Sequence, residues 1–386
     1  MIETLTDCIG IASLVVAIAG AVYALCAATL LRRDAAAPAD LAAPAPAVTI
    51  LKPLAGAEAC LAANLRSFCT LDYPGPVEVL FGVADAGDPA ADVVKELVRA
   101  FPGRALRLFV TGQGRGANPK IENLAGMEAH VAHAIVVLAD SDIAVSRDYL
   151  QRVVAALRAP GVGLVTCLYR GVAVRGLWSE LSAMAIDHHF RPSVAVALRF
   201  GLAQPCFGAT IALPRSTLAR IGGFAAFRDE LADDYAIGAA VRRLGLSIAI
   251  PPFTVAHVCA DATFAELWRH ELRWARTVRA VSPRGYAGAV IAHPLPFALV
   301  ALAALGPGAA ALSTLASVLA ARLAVQWRAD RGASRRLRRL ALGPLRDLLS
   351  FAIYVGGWCV GAVNWRGRRY RVDDNGMLTP SEGPQA

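Results

Sequence analysis

Apolar positions are distributed unevenly along this chain, and the unevenness predicts its architecture. Cys8 to Leu31 contains no Asp, Glu, Lys or Arg, which is long enough to cross the roughly 30 Å of a bilayer core. Gly285 to Ala321 is a second uncharged run, with room for two passes around "LGPGAA", and Leu348 to Trp365 is a third, near the lower limit of length. Between Arg32 and Arg284 no comparable run occurs, so the middle reads as a separate domain. The pattern predicts an anchor at 8–31, an Ala/Pro linker at 35–47, a domain at 48–284 and membrane segments at 285–326. A basic loop at 327–347, a final membrane or re-entrant segment at 348–365 and a tail at 366–386 complete it.

Within 48–284 the periodicity alternates. "VTILKPL", "VEVLFGVAD", "LRLFVTG" and "AIVVLAD" read as buried strands, with "CLAANLRSFCTL", "DPAADVVKELVRAF" and "PKIENLAGMEAHVA" as helices between them. "RDYLQRVVAALRA" then reads as a helix, "GVGLVTCLYRGV" as a strand, "ADDYAIGAAVRRLG" as a helix, "SIAIPPFTVAH" as a strand, and Phe264 to about Val281 as a long helix. Such alternation implies βαβ units and a mostly parallel sheet. In these folds ligands bind beyond the carboxyl ends of strands. "VLFGVAD" and "AIVVLAD" each end in a carboxylate there, Asp85 and Asp140.

Composition agrees with membrane segments. The chain of 386 residues is 56% hydrophobic, with a mean hydropathy of +0.48. A cleaved leader is a poor match for the first run, because "MIETLTD" is acidic where a leader is basic. Arg32 and Arg33 then place the following domain in the cytoplasm by the positive-inside rule. "RADRGASRRLRR" and "WRGRRYR" both prefer that side as well, which a re-entrant or interfacial 348–365 segment would allow. The net charge of +9 comes mostly from arginines flanking the apolar runs, where anionic headgroups can meet them. The middle domain has no basic stripe with interleaved aromatics, so no nucleic-acid partner is expected. The eight cysteines include no C-x-x-C pair, which argues against a zinc site or a disulfide framework.

The candidate chemistry is acidic. Asp140 and Asp142, one residue apart at a strand end, can share a hard divalent cation, Mg²⁺ or Mn²⁺, whose shell substrate phosphates would complete; the plainer alternative is a pair of polar strand-end and cap residues. Asp233 and Asp234 open a helix, where Asp233 suits capping and Asp234 can serve as a general base. "LWRHELRWARTVR" places Arg269, Arg273 and Arg276 on adjacent turns, suited to a leaving diphosphate or to the membrane surface. Lys120 is either a phosphate or uridine contact or a solvated lysine. Cys206 to Gly208 reads as a buried turn or the wall of a pocket. His188, His189 and His257 read as core or surface residues.

"ILKPLAGAEACLAANLRSF", "LDYPGPVEVLFGVADAGDPA", "NPKIENL", "LADSDIAV", "GLVTCLYRG", "IGGFAAF", "LADDYAIG" and "RHELRW" occur in this order. The set resembles the ceramide glucosyltransferase family of membrane glycosyltransferases. "PPFTVAHV" and "LWRHELRWARTVRA" are most similar to its bacterial hopanoid-biosynthesis branch. The resemblance covers about residues 48–300. It implies an α/β GT-A nucleotide-sugar domain with N- and C-terminal membrane helices, an inverting mechanism, a UDP-sugar donor and a lipid acceptor, in the bacterial inner membrane with the catalytic domain facing the cytoplasm. It assigns Asp85 to the uridine, Asp140 to the metal–diphosphate with Asp142 in support, and Asp234 as base. Arg273 and Trp274 match the end of the family's (Q/R)xxRW motif. His270 stands at its first position, a departure that leaves that slot's role open and argues against a processive polysaccharide synthase. The branch implies transfer of N-acetylglucosamine from UDP-N-acetylglucosamine to bacteriohopanetetrol, with glucose transfer to ceramide as the alternative. A binding protein with a decayed site is disfavoured because none of Asp85, Asp140, Asp234 or Arg273 is lost. A transporter is disfavoured because Gly285–Ala321 offers few polar residues.

Overall fold

The computed structural model describes residues 2–31, 34–35, 45–112, 114, 116–331, 336–359, 362–365, 368–372 and 378–380; of residues 2–3 and of those beyond 359 only the backbone is described. Arg32, Arg33 and most of the expected linker and tail lie outside these residues. The chain divides into two compact units: Met1–Arg32 with Arg170–Gln204 and Cys259–Val363, and Arg33–Tyr169 with Pro205–Val258 and Asn364–Ala386.

The second unit holds the sheet. Its strands, in chain order, are β1 (Val48–Pro53), β2 (Val77–Val83), β3 (Ala105–Val110), β4 (Ile135–Leu138), β5 (Ile143–Ala144) and β6 (Val162–Thr166). They are followed by β7 (Leu168–Ala173), at which the chain passes between units, β8 (Ile211–Pro214), β9 (Ser247–Ala249) and β10 (Thr254–Cys259), with three short strands, Ala362–Trp365, Arg368–Val372 and Leu378–Pro380, near the C-terminus. Seven of them form one sheet in the order β3-β2-β1-β4-β8-β6-β9. β3, β2, β1 and β4 pair in parallel, β8 is antiparallel to both β4 and β6, and β6 and β9 are parallel. The mostly parallel α/β sheet expected from the alternation is therefore present. β1 and β4 are buried along their whole length, as a sheet covered on both faces requires. One core packs Val48, Ile50, Phe68, Phe81, Val94 and Tyr149; the opposite face packs Leu51, Leu80, Ile121, Leu124, Val136 and Ile237.

Two runs expected as single strands are each broken. "GVGLVTCLYRGV" divides at Cys167 into β6 and β7. Thr166 Oγ1 there accepts from Phe207 N at 2.9 Å and donates to Phe207 O at 3.1 Å, exchanging side-chain for ladder hydrogen bonds. "SIAIPPFTVAH" divides at Pro251 and Pro252 into β9 and β10, since proline has no N–H for a ladder. β10 then pairs antiparallel with β5 through Ala256–Ala144 and His257–Ile143.

The first unit is helical. Ile2–Leu30, Pro294–Leu305 and Ala309–Ala329 pack together through Ala17, Ala24, Ala28, Leu295, Ala298, Val318 and Val325. Among the described residues two helices are long and apolar enough to cross a membrane, Thr4–Leu30 and Ala309–Ala329, with a third if Pro283–Ala292 and Pro294–Leu305, bent by 59°, count as one span. Arg336–Cys359 forms a further helix with Pro344 inside it. Buried ion pairs run through this unit. Arg322 meets Asp347 at 2.6 Å, Arg339 meets Asp187, Glu180 and Asp330 at 3.0, 3.0 and 2.5 Å, and His188 meets Asp330 at 2.8 Å. His188 and His189, expected as core or surface residues, are thus part of a charged core. They lie on a π-helical turn, Ile186–Phe190.

Candidate active site

β2 and β4 flank β1, and each ends two residues before the carboxylate expected at its edge. Asp85 is exposed there, its Oδ1 accepting from Gly87 N at 2.7 Å. The turn after β4 is held from several sides. Lys52 donates to Asp140 O, Asn64 Nδ2 donates to Ser141 O at 3.2 Å, and Ser141 Oγ donates to Glu58 Oε2 at 2.7 Å. Val258 N donates to Asp142 O at 2.9 Å. Two carboxylates therefore project from a backbone fixed independently of them, which is the preorganisation that electrostatic catalysis needs.

Lys120 occupies the centre. Its Nζ lies 2.8 Å from Asp140 Oδ1 and 2.9 Å from Asp233 Oδ2. Burial opposes the ammonium charge, but Asp140, Asp233 and Asp234 outweigh it and the Lys120 pKa lies above the ordinary lysine range. "NPK" explains its placement. Asn118 caps the helix Pro119–Glu128, its Oδ1 accepting from Lys120 N at 3.0 Å and Ile121 N at 3.2 Å, and Pro119 follows in the first turn, where its missing N–H is not needed. Asn118 Nδ2 donates to Glu230 O and to Asp233 Oδ1, which links this cap to the helix Asp233–Arg243. Of the two alternatives for Lys120, the solvated lysine is excluded. The N-cap position of the helix Asp233–Arg243 is Ala232, and Asp233, in the first turn, is an ion-pair partner of Lys120.

Asp234 Oδ2 accepts from Gly208 N at 2.9 Å and Oδ1 from Tyr235 N at 2.7 Å. Gly208 belongs to "PCFGAT", and its backbone comes so near that a Cβ would lie 2.7 Å from Asp140 Oδ2 and 3.1 Å from Lys120 Nζ. A side chain at this position would have to displace the Asp140 carboxylate. Burial raises the Asp140 pKa, Lys120 opposes that, and Asp142 adds to it. Burial and Asp233 push Asp234 up to about 6.

Asp142 has one buried oxygen, Oδ1, with no hydrogen-bond partner among the described residues; Oδ2 lies 3.6 Å from His257 Nδ1. A buried carboxylate oxygen left open beside Asp140 fits a hard cation. Among the described residues no three His, Cys, Asp or Glu side chains converge as a closed metal cage, so the fit is to a cation whose remaining ligands come from a bound diphosphate and water. Lys52 went unrecognised in the sequence. It is fully buried, 4.0 Å above the Phe68 ring, and burial pushes its pKa down to about 7 against Asp140, Asp142 and Glu58. A lysine inside a strand buried on both faces was the available signal.

His270, Arg273 and Trp274 belong to the first unit, on the helix Phe264–Val281. Thr263 caps this helix by accepting from Glu266 N, and Glu266 reaches back to Ala262 N. His270 packs edge-on against Trp274 with ring centroids 4.4 Å apart, and its Nδ1 lies 3.5 Å from Asp261 Oδ2. The three arginines differ in environment: Arg269 is exposed, Arg273 half-buried and Arg276 buried.

A parallel α/β sheet with carboxylates and a lysine converging at its carboxyl edge defines the class, a GT-A-like glycosyltransferase fold. The mannosyltransferase PcManGT from Pyrobaculum calidifontis, solved in complex with GDP-Man and Mn²⁺, shares the fold with a TM-score of 0.53 at 23% sequence identity, over 92% of this chain and 98% of that one. The chain matches glycosyl transferase family 21 over residues 12–378 and belongs to that family. Ceramide glucosyltransferases 3 and 1 of Caenorhabditis elegans are 26% and 24% identical to it over 245 and 239 residues, 62% of this chain in both cases and 52% and 51% of those proteins. The chain thus spans about half the length of the curated relatives it matches.

Proposed function

We propose that this enzyme transfers a sugar from a UDP-sugar to a lipid hydroxyl with inversion, and that its substrates are UDP-N-acetylglucosamine and bacteriohopanetetrol. The observation that carries the reading is the Lys120–Asp140–Asp233 cluster with Asp234 fixed beside it at the carboxyl edge of the sheet, in a chain of family 21. The choice of hopanoid rests on the motif resemblance. The ceramide glucosyltransferase relatives favour a second reading, glucose from UDP-glucose to ceramide.

Asp140 and Asp142 would hold Mg²⁺ or Mn²⁺, which when bound neutralises the donor diphosphate and eases its departure. Asp85 takes the uridine, and Lys120 sets a positive charge beside Asp140 for the phosphates. Asp234 removes the proton of the acceptor hydroxyl. The freed oxygen attacks the anomeric carbon opposite the diphosphate, and the bond from that carbon to the diphosphate oxygen breaks. Arg273 donates to the leaving oxygens, Trp274 walls the reaction from water, and His270, at the first position of the motif, can still donate a hydrogen bond through its imidazole. The apolar helices keep the enzyme in the bacterial inner membrane, with the sheet on the cytoplasmic side, where a lipid hydroxyl at the interface can reach it.

The test is transfer by the purified protein in detergent. It would be given UDP-N-acetylglucosamine or UDP-glucose, Mg²⁺ or Mn²⁺, and a hopanoid polyol or ceramide, with products weighed by mass spectrometry. A hexosamine-sized gain on the hopanoid is expected. A hexose on ceramide would replace this reading with the second, and no turnover of either donor would remove both. Asp140→Ala should abolish metal-supported donor binding while thermal unfolding stays cooperative; surviving transfer would refute the assignment of that carboxylate.

A further inference from the structure

The helix Phe264–Val281, which carries His270, Arg273 and Trp274, is fastened along one face. Arg346, on the helix Arg336–Cys359, is fully buried. Its Nη1 and Nη2 donate to Glu271 Oε1 and Oε2 at 2.8 Å each. Its Nε donates to Ser350 Oγ at 3.0 Å, and Nη1 also to Leu181 O at 3.2 Å. Two turns further along, Arg279 Nη1 donates to Gly357 O at 2.8 Å and Trp358 O at 2.6 Å. Between these two points a Cβ at Gly357 would lie 3.1 Å from Ala275 Cβ and closer still to the Tyr286 hydroxyl, so glycine makes room for both. Glu271, Ala275 and Arg279 recur every four residues and so share one face. Arg273 is two residues from Glu271, about 200° away around the helix at about 100° per residue.

A buried ion pair is a poor device for stability alone, because a packed apolar pair of similar volume often serves as well or better. What a forked, two-bond pair supplies is direction. Here it fixes the rotation of the helix about its axis. With a helix about 10–12 Å across, a turn of about 10° moves a side chain at its edge by about 1 Å, and a misplacement of about 1 Å can lower a rate about 10²-fold.

We propose that Arg346 is a positioning residue for the Arg273–Trp274 motif, acting through Glu271. This rests on the reading that Arg273 acts on the leaving diphosphate. The test measures kcat, KM for the UDP-sugar and thermal unfolding for Arg346→Lys, Arg273→Ala and the double variant Arg346→Met with Glu271→Leu. The full-length protein is assayed in detergent with whichever donor and lipid give product. Arg346→Lys should lower kcat at least 10-fold with KM within about 2-fold, because an ammonium cannot hold both carboxylate oxygens. The double variant should unfold at or above the wild-type temperature yet keep the lowered kcat. Wild-type kcat in the folded double variant overturns the proposal and leaves the pair a structural one. Arg273→Ala separates the two failures: if it transfers at the wild-type rate the reading of the motif falls, and if it is inactive while the Arg346 variants are fully active only the positioning role falls.

Discussion

At Asp234, burial and the neighbouring Asp233 push the carboxyl up to about 6, while Lys120 and the amides of Tyr235 and Gly208 resist. Its proton is lost as pH rises through that value, and a general base works only without it. The value of kcat/KM should therefore climb about tenfold per pH unit below about 6 and level off above; a flat profile between pH 5 and 8 would exclude Asp234 as base. The same shift makes folding stability fully present below the ordinary carboxylate pKa and diminishes it as pH rises through about 6, a loss accepted for reactivity. Asp234→Asn should lower kcat by about 10²–10⁴-fold with donor binding retained, as calorimetric titration would show. Asp140, Asp142 and Asp234 could be picked out in the sequence because carboxylates beyond buried strands or at a helix start stand out against apolar neighbours. Asp233 does stand in the first turn of its helix, as read, but its ion pair with the distant Lys120 had no local signal.

Among elements, the helix Pro119–Glu128 does the most to build the site, and its start was written locally in "NPK". Asn118 is fully buried and bonds its own helix, Glu230 and Asp233 together. Asn118→Ala should lower stability by about 0.5–2 kcal/mol for the lost cap and also weaken donor binding, because Lys120 and Asp233 lose their common brace. Thermal unfolding and a donor titration read the two effects separately; unchanged donor affinity would confine Asn118 to capping. Strands and helices with strong periodicity were legible for the same local reason. The break at Cys167 was not, because it depends on Phe207, 41 residues away. The break at Pro251–Pro252 was written in the chain, but the apolar run on both sides masked it.

For the whole molecule, the hidden feature is the charged core of the helical unit. Several of its pairs join residues far apart in sequence: His188 and Asp330 are 142 residues apart. Neither periodicity nor local spacing can announce such partners, so "DHHFR" read as unremarkable. Arg339 alone faces Asp187, Asp330 and Glu180. Arg339→Met should destabilise the protein by about 3–5 kcal/mol, the usual loss when one partner of a buried pair is removed. Lys95→Met, which breaks the exposed pair with Asp92, should leave the melting temperature nearly unchanged, because water and salt screen such a pair. Comparable melting shifts for the two in detergent would show that the core charges are not truly buried.

The sheet edge has one more property, an unbalanced electrical account. Asp85, Asp140, Asp142, Asp233 and Asp234 stand against Lys120 and against Lys52, whose charge burial disfavours, so the carboxylates outnumber the ammonium groups. A naked nucleotide diphosphate arriving there is repelled, whereas a divalent ion offsets the surplus. Order of arrival follows: cation first, or cation and nucleotide together, never nucleotide alone. UDP-sugar titrated in EDTA should accordingly bind at least tenfold more weakly than in Mn²⁺, and an equal affinity in both would mean that the two lysines already suffice.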